Sequence, residues 1–452
     1  MSPPEVLRSA EAAFEELNPT LNAIVTSTFA AARREAESAE RSIARGEARG
    51  PLHGLPVAVK DSIETAGVRT TYGSPLFREH VPIVDALHVQ RLRAAGAIVV
   101  GKTNTPELEA GINTRNDVFG QTLNPWDLAL GCGGSSGGSA VALATGMCAL
   151  ADGTDHGGSV RIPASVTGVV GLRPSPGRVP LYPSRWVSDQ LSVLGPLGRT
   201  VADVALMLSV MAGPDARVPI SIAEPPSALG DPGSDVRGWR IAWSRDLDGM
   251  LAVEPEIAAA IEKAARGFAD LGCQVEEAAP DWRDALDIIG PLRAHRTAVI
   301  MDELRPRKGE IANQFLREFI DKAGELSLFE VGRAEARRSR LWERTAGFFS
   351  THRLLLLPTT QWPAFPKELD FPPTVAGRRM SGVVEAILST YAVTIAGLPA
   401  LSVPMGLTRA GLPMGLQIVG GWHRDVDVLR AGIAFEGAFP ATRWAPPLRP
   451  SI

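Results

Sequence analysis

The sequence has 452 residues, and 46 Lys plus Arg against 50 Asp plus Glu give it a formal net charge of −4 at pH 7. Hydrophobic residues make up 45% and charged residues 21%, an ordinary globular composition that excludes general disorder. The near-neutral charge gives no basic field for nucleic acid, and no run of 18 apolar residues predicts a membrane-spanning helix. This length allows one large domain or two tightly packed lobes.

Targeting and metal signals are absent from the sequence. The amino terminus has no basic region followed by an apolar stretch, so no secretory signal is expected. The three cysteines form no CxxC pair, and the seven histidines show no HExxH or H-x-H spacing. We therefore expect a cytoplasmic protein that has no disulfide framework, no metal and no other cofactor.

The first part of the chain predicts helices followed by short apolar strands. Residues 5–48 have helical apolar spacing, and Pro19 is expected to separate two helices. A buried strand is predicted from Leu55, ending in the charged pair Lys60 and Asp61. The next predicted elements are a helix at 88–95 and a strand at 96–102. This alternation is typical of an α/β protein.

The second part continues the pattern after residues 213–235, a stretch rich in Pro, Ser and Asp that predicts a long surface connection or linker. The elements predicted beyond it are strands at 240–243 and 274–275, a helix at 255–271 between them, a helical pattern at 333–344, a strand at 354–357 and a strand pair at 400–404 and 415–419.

Glycine is concentrated in residues 131–171, which hold 11 of the 45 glycines. The stretch contains two Gly-Gly-Ser units, at 133–135 and 157–159. Glycine permits positive φ and close backbone approach, which a phosphate-binding loop would use. However, no G-x-x-x-x-G-K-[ST] occurs within this stretch, and no G-x-G-x-x-G in it follows a convincing strand, so the cluster itself argues against nucleotide binding.

Two serine-based interpretations remain for this cluster. Gly133 to Gly137 fits G-x-S-x-G, but a nucleophile elbow needs a strand running directly into it, and the preceding residues predict a loop. The other interpretation uses both units: Ser135 and Ser159 are 24 residues apart, and Lys60 precedes Ser135 by 75. A serine hydroxyl needs a base, and a buried lysine can serve when its pKa falls far enough to leave it neutral.

Several further motifs occur in a fixed order between about residue 50 and residue 435. They are GLPVAVKD at 54–61, GKTNTPE at 101–107, FGQTLNPW at 119–126, the two Gly-Gly-Ser units, GVVGLRP at 168–174, GPLGRTV at 195–201, LLPT at 356–359, GLPALSVP at 397–404 and GLPMGLQ at 411–417. In these motifs the chain resembles the amidase signature family, serine hydrolases with a Ser–cis-Ser–Lys triad.

The resemblance implies an α/β amidase-signature fold, with a large mixed β-sheet core covered by helices on both faces. It also implies a single domain over residues 1–452. Its expected parts are an N-terminal helical layer at 1–48, a signature core at 50–205, a variable region at 206–350 and a C-terminal part of the core at 351–440.

The resemblance assigns roles to the residues of the glycine cluster. Ser159 aligns with the nucleophile, Ser135 with the bridging serine beside a cis peptide bond, and Lys60 with the base. The backbone amides expected to form the oxyanion hole are those of His156, Gly157, Gly158 and Ser159. The residues expected to support this loop are Asp155 and Arg161, as an ion pair, and Ser136.

Two positions depart from the family pattern. His156 stands where members have Thr, Ile or another non-basic residue, so either its amide alone matters or its ring lines the pocket. Cys132 stands where a small residue or Pro is usual, and packing is its expected role.

The substrate is inferred from three loops, at 107–116, 180–192 and 359–366, with few fixed charges. Their possible pocket residues are Leu108, Ile112, Tyr182, Trp186 and Trp362. Such a lining favours a small neutral, apolar or aromatic amide, anilide or carbamate, as in aryl acylamidases and urethanases. The alternative is that these aromatic side chains only pack within the loops.

We therefore expect a hydrolase that cleaves C–N bonds through a serine acyl-enzyme. Its expected partner is a small-molecule amide, ester or carbamate, with no nucleic acid or membrane, and the protein is expected to be a monomer or homodimer. One alternative is the glutaminase subunit of a tRNA-dependent amidotransferase, which would need partner proteins. The other is a non-catalytic binding protein on the same fold, against which the intact Lys60, Ser135 and Ser159 argue.

Overall fold

A large mixed β-sheet forms the centre of the protein in a computed structural model that describes residues 1–224, 226–439 and 446–448. Its eleven strands are β1 (Ile24–Ser27), β2 (Pro56–Lys60), β3 (Ile98–Thr103), β4 (Leu150–Asp155), β5 (Val170–Arg173), β6 (Val193–Gly198), β7 (Arg240–Trp243), β8 (Gln274–Glu277), β9 (Leu354–Pro358), β10 (Ala400–Leu407) and β11 (Pro413–Gly420).

The strand order across this sheet is β1-β3-β2-β4-β6-β5-β10-β11-β9-β7-β8. Strand β2 runs parallel to both β3 and β4, and β7 runs parallel to both β8 and β9. Every other neighbouring pair is antiparallel, including the predicted late pair β10 and β11. These pairings confirm the predicted α/β class and its large mixed sheet.

Helices surround the sheet. They are α1 (Pro3–Leu21), α2 (Phe29–Ala44), α3 (Leu87–Ala94), α4 (Gly137–Ala144), α5 (Arg161–Thr167), α6 (Val201–Met211), α7 (Pro255–Asp270), α8 (Ala285–Met301), α9 (Gln314–Glu325), α10 (Leu328–Thr351), α11 (Val383–Ala386), α12 (Leu388–Ile395) and α13 (Asp425–Ala438). Within the described ranges, none of them combines the length and the apolar character that crossing a membrane requires.

Alternate strand residues pack against different helices, which shows that both faces of the sheet are covered. In β2, Val57 and Val59 join an apolar cluster with α3, α6, α7 and α13, whereas Ala58 joins a cluster with α1, α2 and α4. In β9, Leu354 joins the first cluster and Leu355 joins a third, with α8, α10 and α12. Because successive strand side chains point to opposite faces, the two sets of helices lie on opposite sides.

One expectation about the amino terminus is wrong. Pro19 does not separate two helices, because it lies inside the last turn of α1. The helix ends at Asn22, which has a left-handed backbone (φ 51°) and donates its N–H to the Asn18 carbonyl at 2.8 Å. The Asn18 side chain then accepts the amides of Ala23 and Ile24, which directs the chain into β1.

Candidate active site

The parallel pair β2 and β4 brings the predicted site residues to one edge of the sheet. Lys60 is the last residue of β2, and Asp155 is the last residue of β4. Parallel strands end at the same edge, so the loop that follows β4 lies beside Lys60. Ser135 and Ser159 each stand two residues before a helix, α4 and α5 respectively.

The Lys60 ammonium nitrogen lies 2.7 Å from Ser135 Oγ, and both side chains are completely buried. The main-chain N–H of Lys60 donates to Asp152 Oδ1 at 2.7 Å. The other carboxylate oxygen of Asp152 is 2.9 Å from His88 Nε2. This buried pair anchors the end of β2, which fixes where the lysine side chain starts.

Ser159 lies on the same cavity wall as Ser135. The Ser136 amide donates to the Ser159 carbonyl at 3.0 Å, which ties the two loops together, and the Gly134–Ser135 peptide bond is cis. Both serines line a cavity of about 610 Å³. The structure therefore places Ser135 and Ser159 in the lining of one cavity, with Lys60 in direct contact with Ser135.

Two residues absent from the sequence prediction also contact the lysine. Lys60 Nζ lies 2.7 Å from Thr154 Oγ1 and 3.1 Å from Glu109 Oε1. Burial lowers the pKa of Lys60, although the Glu109 charge opposes the shift. Burial by itself would raise the pKa of Glu109, but the Lys60 charge and hydrogen bonds from Ser62 and Thr154 hold it below its ordinary value.

A buried ion pair braces the loop that carries Ser159. Asp155 Oδ1 lies 2.7 Å from Arg161 Nη2, and Asp155 Oδ2 lies 3.0 Å from Arg161 Nε, with both residues fully buried. Arg173 Nη1 adds a contact of 3.3 Å to Asp155 Oδ1. Burial alone would raise the pKa of Asp155, but these guanidinium groups hold it well below its ordinary range. Asp155 is therefore a carboxylate at every working pH.

The amides predicted to form the oxyanion hole differ in their hydrogen bonding. Gly158 donates to Asp155 Oδ1 at 3.1 Å, so its amide is already engaged within the loop. For the amides of Gly157 and Ser159, the described part of the chain supplies no acceptor. Gly158 has φ +113°, and a Cβ there would overlap Thr390 Oγ1, so only glycine fits this turn.

The ring of His156 lies on the cavity wall. Its Nε2 is 2.6 Å from the Tyr391 hydroxyl, and its Nδ1 is 3.2 Å from Ser192 Oγ. Burial, together with the nearby cations of Arg296 and Arg293, lowers the pKa of His156 well below its ordinary value. The ring is therefore a neutral imidazole at neutral pH, held at both nitrogens.

Of the five possible pocket residues, Leu108 lines the cavity and the other four lie outside its lining. Ile112 and Trp362 are only 5% and 2% exposed and belong to the apolar core. The Arg217 guanidinium carbon lies over the Tyr182 ring, 4.1 Å from its centroid. The ring centroids of Trp186 and His295 are 5.3 Å apart. These four side chains therefore serve packing, which was the alternative interpretation of the aromatic loops.

The cavity lining is also more highly charged than the three loops by themselves indicate. The charged residues in its lining include Glu64, Glu109, Arg185, Arg293 and Arg296. Helix α8, in the variable region, contributes Arg293 and Arg296, and no sequence motif places this helix beside the serines.

Most of these charges have partners on the protein. Glu64 contacts His80 at 3.2 Å, and Arg296 contacts Asp189 at 2.7 Å. Arg185 pairs with Glu303. Arg293 lies over the Phe319 ring at 4.1 Å.

Cys132 lies beneath the glycine loop and is completely buried. Burial raises the pKa of its thiol to about 12, so it stays protonated at working pH. Its Sγ contacts the Thr122 carbonyl at 3.5 Å, which agrees with the packing role expected from the sequence.

Known proteins are similar to this sequence over nearly its whole length. The family model described as Amidase matches residues 5–429. An acylamidase from Rhodococcus erythropolis is 36% identical, covering 98% of this chain and 93% of its own length. A glutamyl-tRNA(Gln) amidotransferase subunit from Thermus thermophilus is also 36% identical, with 99% and 96% coverage.

Among solved structures, a bacterial aryl acylamidase of the amidase signature family superimposes with a TM-score of 0.90 at 32% identity. The alignment covers 97% of this chain and 94% of that protein. Family model, sequence and structure agree along nearly the whole chain. The protein therefore belongs to the amidase signature family and is a hydrolase of amide C–N bonds.

Proposed function

We propose that the protein is a serine amidase in which Ser159 is the nucleophile, Ser135 the proton bridge and Lys60 the base. The observation that carries this proposal is the 2.7 Å contact between Lys60 Nζ and Ser135 Oγ, since Ser135 lines the same cavity as Ser159. The lowered pKa of Lys60 supports it, because a lysine must be neutral to accept a proton.

In the acylation step, neutral Lys60 takes a proton from Ser135 while Ser135 takes one from Ser159. The Ser159 oxygen forms a bond to the substrate carbonyl carbon, and free loop amides such as that of Gly157 stabilise the oxyanion. The proton returns through Ser135 to the leaving nitrogen, and the C–N bond breaks. Water then attacks the acyl-enzyme along the same relay, which releases the acid and restores Ser159.

The proposed substrate is a small neutral amide or anilide. Similarity to an acylamidase and to an aryl acylamidase supports this class. Glu64, Arg185 and Arg296 of the cavity lining already have partners on the protein, so a neutral ligand leaves these pairs intact. A carbamate differs from an amide by one heteroatom beside the carbonyl, and the same residues could cleave it.

A second candidate is the glutaminase subunit of a tRNA-dependent amidotransferase. The Thermus thermophilus protein is as similar in sequence as the acylamidase, and this observation keeps the candidate open. Free glutamine hydrolysis, together with a stable heteromeric complex purified from cells, would favour it over a free-standing amidase.

The deciding experiment is a hydrolysis panel with wild type and Ser159→Ala. The panel contains 4-nitroanilides, aliphatic amides, esters, aryl carbamates and free glutamine. We expect turnover of anilides or amides that disappears in Ser159→Ala. Turnover in Ser159→Ala above a few percent of wild type would reject the proposed nucleophile, and hydrolysis of glutamine alone would favour the amidotransferase role.

A further inference from the structure

We propose that Glu109 is a positioning residue for Lys60: its carboxylate turns the lysine lone pair toward Ser135 and holds the ammonium that forms during acylation. This inference rests on the proposed Ser159–Ser135–Lys60 mechanism. Glu109 has none of the roles that the family resemblance implies, and it comes from a turn 49 residues after the lysine.

Two hydroxyl donors and the lysine amine converge on one oxygen of this carboxylate. Glu109 Oε1 lies 2.6 Å from Ser62 Oγ, 2.5 Å from Thr154 Oγ1 and 3.1 Å from Lys60 Nζ. A carboxylate can only accept hydrogen bonds, so both hydroxyls must donate to it. Thr154 donates its hydroxyl proton to Glu109, and its oxygen is therefore free to accept from Lys60 at 2.7 Å.

This arrangement fixes the orientation of a neutral lysine. A neutral amine has two N–H donors and one lone pair. Thr154 accepts one N–H, and the negative charge of Glu109, 3.1 Å from the nitrogen, attracts the second N–H and repels the lone pair. The lone pair is therefore left facing Ser135 Oγ at 2.7 Å, where a base must face. After proton transfer, the three N–H groups of the ammonium meet the same three oxygens, and no side chain has to move.

The backbone holds Glu109 in this place. Leu108 and Glu109 both have left-handed conformations, with φ of 48° and 65°, which few residues with side chains adopt. The preceding Glu107 is buried, and it accepts from Ser74 Oγ and from the Asn313 amide, each at 2.7 Å. An unfavourable turn that is tied at several points is typical of a functional site.

Other charged groups near Lys60 are already engaged. Asp152 binds the Lys60 amide and His88, and Asp155 binds Arg161 and Arg173. Glu64, His156, Arg293 and Arg296 also line the cavity, and none of them contacts Lys60 Nζ in the described ranges. Among these groups, Glu109 is the carboxylate in direct contact with the amine, so its removal has the largest effect on lysine protonation.

The test is the pH dependence of covalent labelling by a fluorophosphonate, which requires no knowledge of the natural substrate. The probe forms a bond between Ser159 Oγ and phosphorus, fluoride leaves, and the serine proton passes through Ser135 to Lys60. The labelling rate of wild type should rise with pH as Lys60 loses its proton. Ser159→Ala should show no labelling.

In Glu109→Gln the shape is kept and the charge is lost. We expect the rising limb of the labelling profile to move down by roughly 1–3 pH units, because the ammonium loses its carboxylate. The plateau at high pH should fall roughly 10-fold or more, because the same ammonium is less stable in the transition state. Glu109→Asp keeps the charge, so its limb should stay nearer to the wild-type position.

Glu64→Gln is the matched control, since it removes a carboxylate from the same cavity without touching Lys60. Its limb should move less than that of Glu109→Gln. A Glu109→Gln limb that stays in place or moves up overturns the proposal, even if the plateau falls, because loss of fold lowers the plateau alone. Labelling that persists in Ser159→Ala instead overturns the proposed mechanism, so the two failures are distinguishable.

Discussion

The two walls of the cavity are built in different ways. The wall formed by β2, β4 and their loops holds Lys60, Ser135 and Ser159 through buried hydrogen bonds and an ion pair. The opposite wall comes from α8 and the following helices, and it carries partly exposed arginines and apolar side chains. The sheet therefore holds the proposed catalytic residues in place, and we propose that the helical wall selects the substrate.

The largest expected effect comes from the sheet wall. Ser159→Ala should reduce amide hydrolysis by roughly 10³-fold or more, because no other group forms the acyl bond. The measurement is kcat on a 4-nitroanilide that wild type cleaves. Thr297→Val removes a hydroxyl from α8 in the opposite wall and serves as the matched control. Similar losses in both variants would contradict the division between the walls.

Lys60→Ala should reduce kcat/KM by roughly 10²–10⁴-fold, the range of a lost general base. In wild type, burial lowers the pKa of Lys60, and the proposed mechanism requires the neutral form. Activity should therefore increase as pH rises through the folded-state pKa of Lys60 and be lost as pH falls below it. The pH profile of kcat/KM checks this sign, and a profile that rises toward acid would contradict it.

Gly158→Ala should reduce kcat by roughly 10²-fold, a loss typical of a damaged oxyanion hole. The new Cβ would overlap Thr390 Oγ1 at φ +113°, which forces the loop to shift. Gly157→Ala is the control, because its nearest contact would be the flexible end of Ile387 at 3.2 Å. Equal losses in the two variants would show that the left-handed turn is not what matters.

Tyr391→Phe removes the hydroxyl that contacts the His156 ring in the cavity lining. Loss of the 2.6 Å contact should lower kcat by roughly 10-fold or less, and the missing hydrogen bond should cost about 1 kcal/mol of unfolding free energy. Steady-state kinetics and urea titration measure the two effects. An unchanged kcat with the expected loss of stability would assign the contact to folding alone.

The smallest effect on chemistry is expected from the helical wall. Arg293→Gln should change KM a few-fold and alter the preference among anilides, because the side chain lines the cavity without contacting Lys60. The rate of fluorophosphonate labelling should stay close to wild type. A large fall in labelling would mean that this wall takes part in the chemistry.

Much of the fold could be predicted because strands and helices have local signatures. The strand predicted from Leu55, the helix at 255–271 and the late strand pair all occur within a few residues of their expected bounds. The end of α1 differed from the prediction, because the helix continues past Pro19. It ends where Asn22 adopts a left-handed backbone conformation and the Asn18 side chain accepts a backbone amide, and helical periodicity does not reveal such a cap.

Sequence motifs predicted only those site residues that lie within the motifs. The two Gly-Gly-Ser units and Lys60 lie in segments recognisable from sequence, and the structure places them together. Leu108 was the one possible pocket residue that lines the cavity, because aromatic loops such as that of Trp362 bury their rings in the core instead. Apolar character by itself does not distinguish a pocket wall from a core.

Local motifs and periodicity were enough to establish the family, the α/β class and the positions of two serines and one lysine, because each of these is written in short segments of chain. The three-dimensional fold was needed to find that Glu109 and Thr154 contact that lysine, that Asp155 engages the Gly158 amide, and that arginines of α8 face the serines. Such contacts join residues that are far apart in the chain and meet only when the loops and helices pack together. No short segment of a single sequence shows which distant residues will become neighbours.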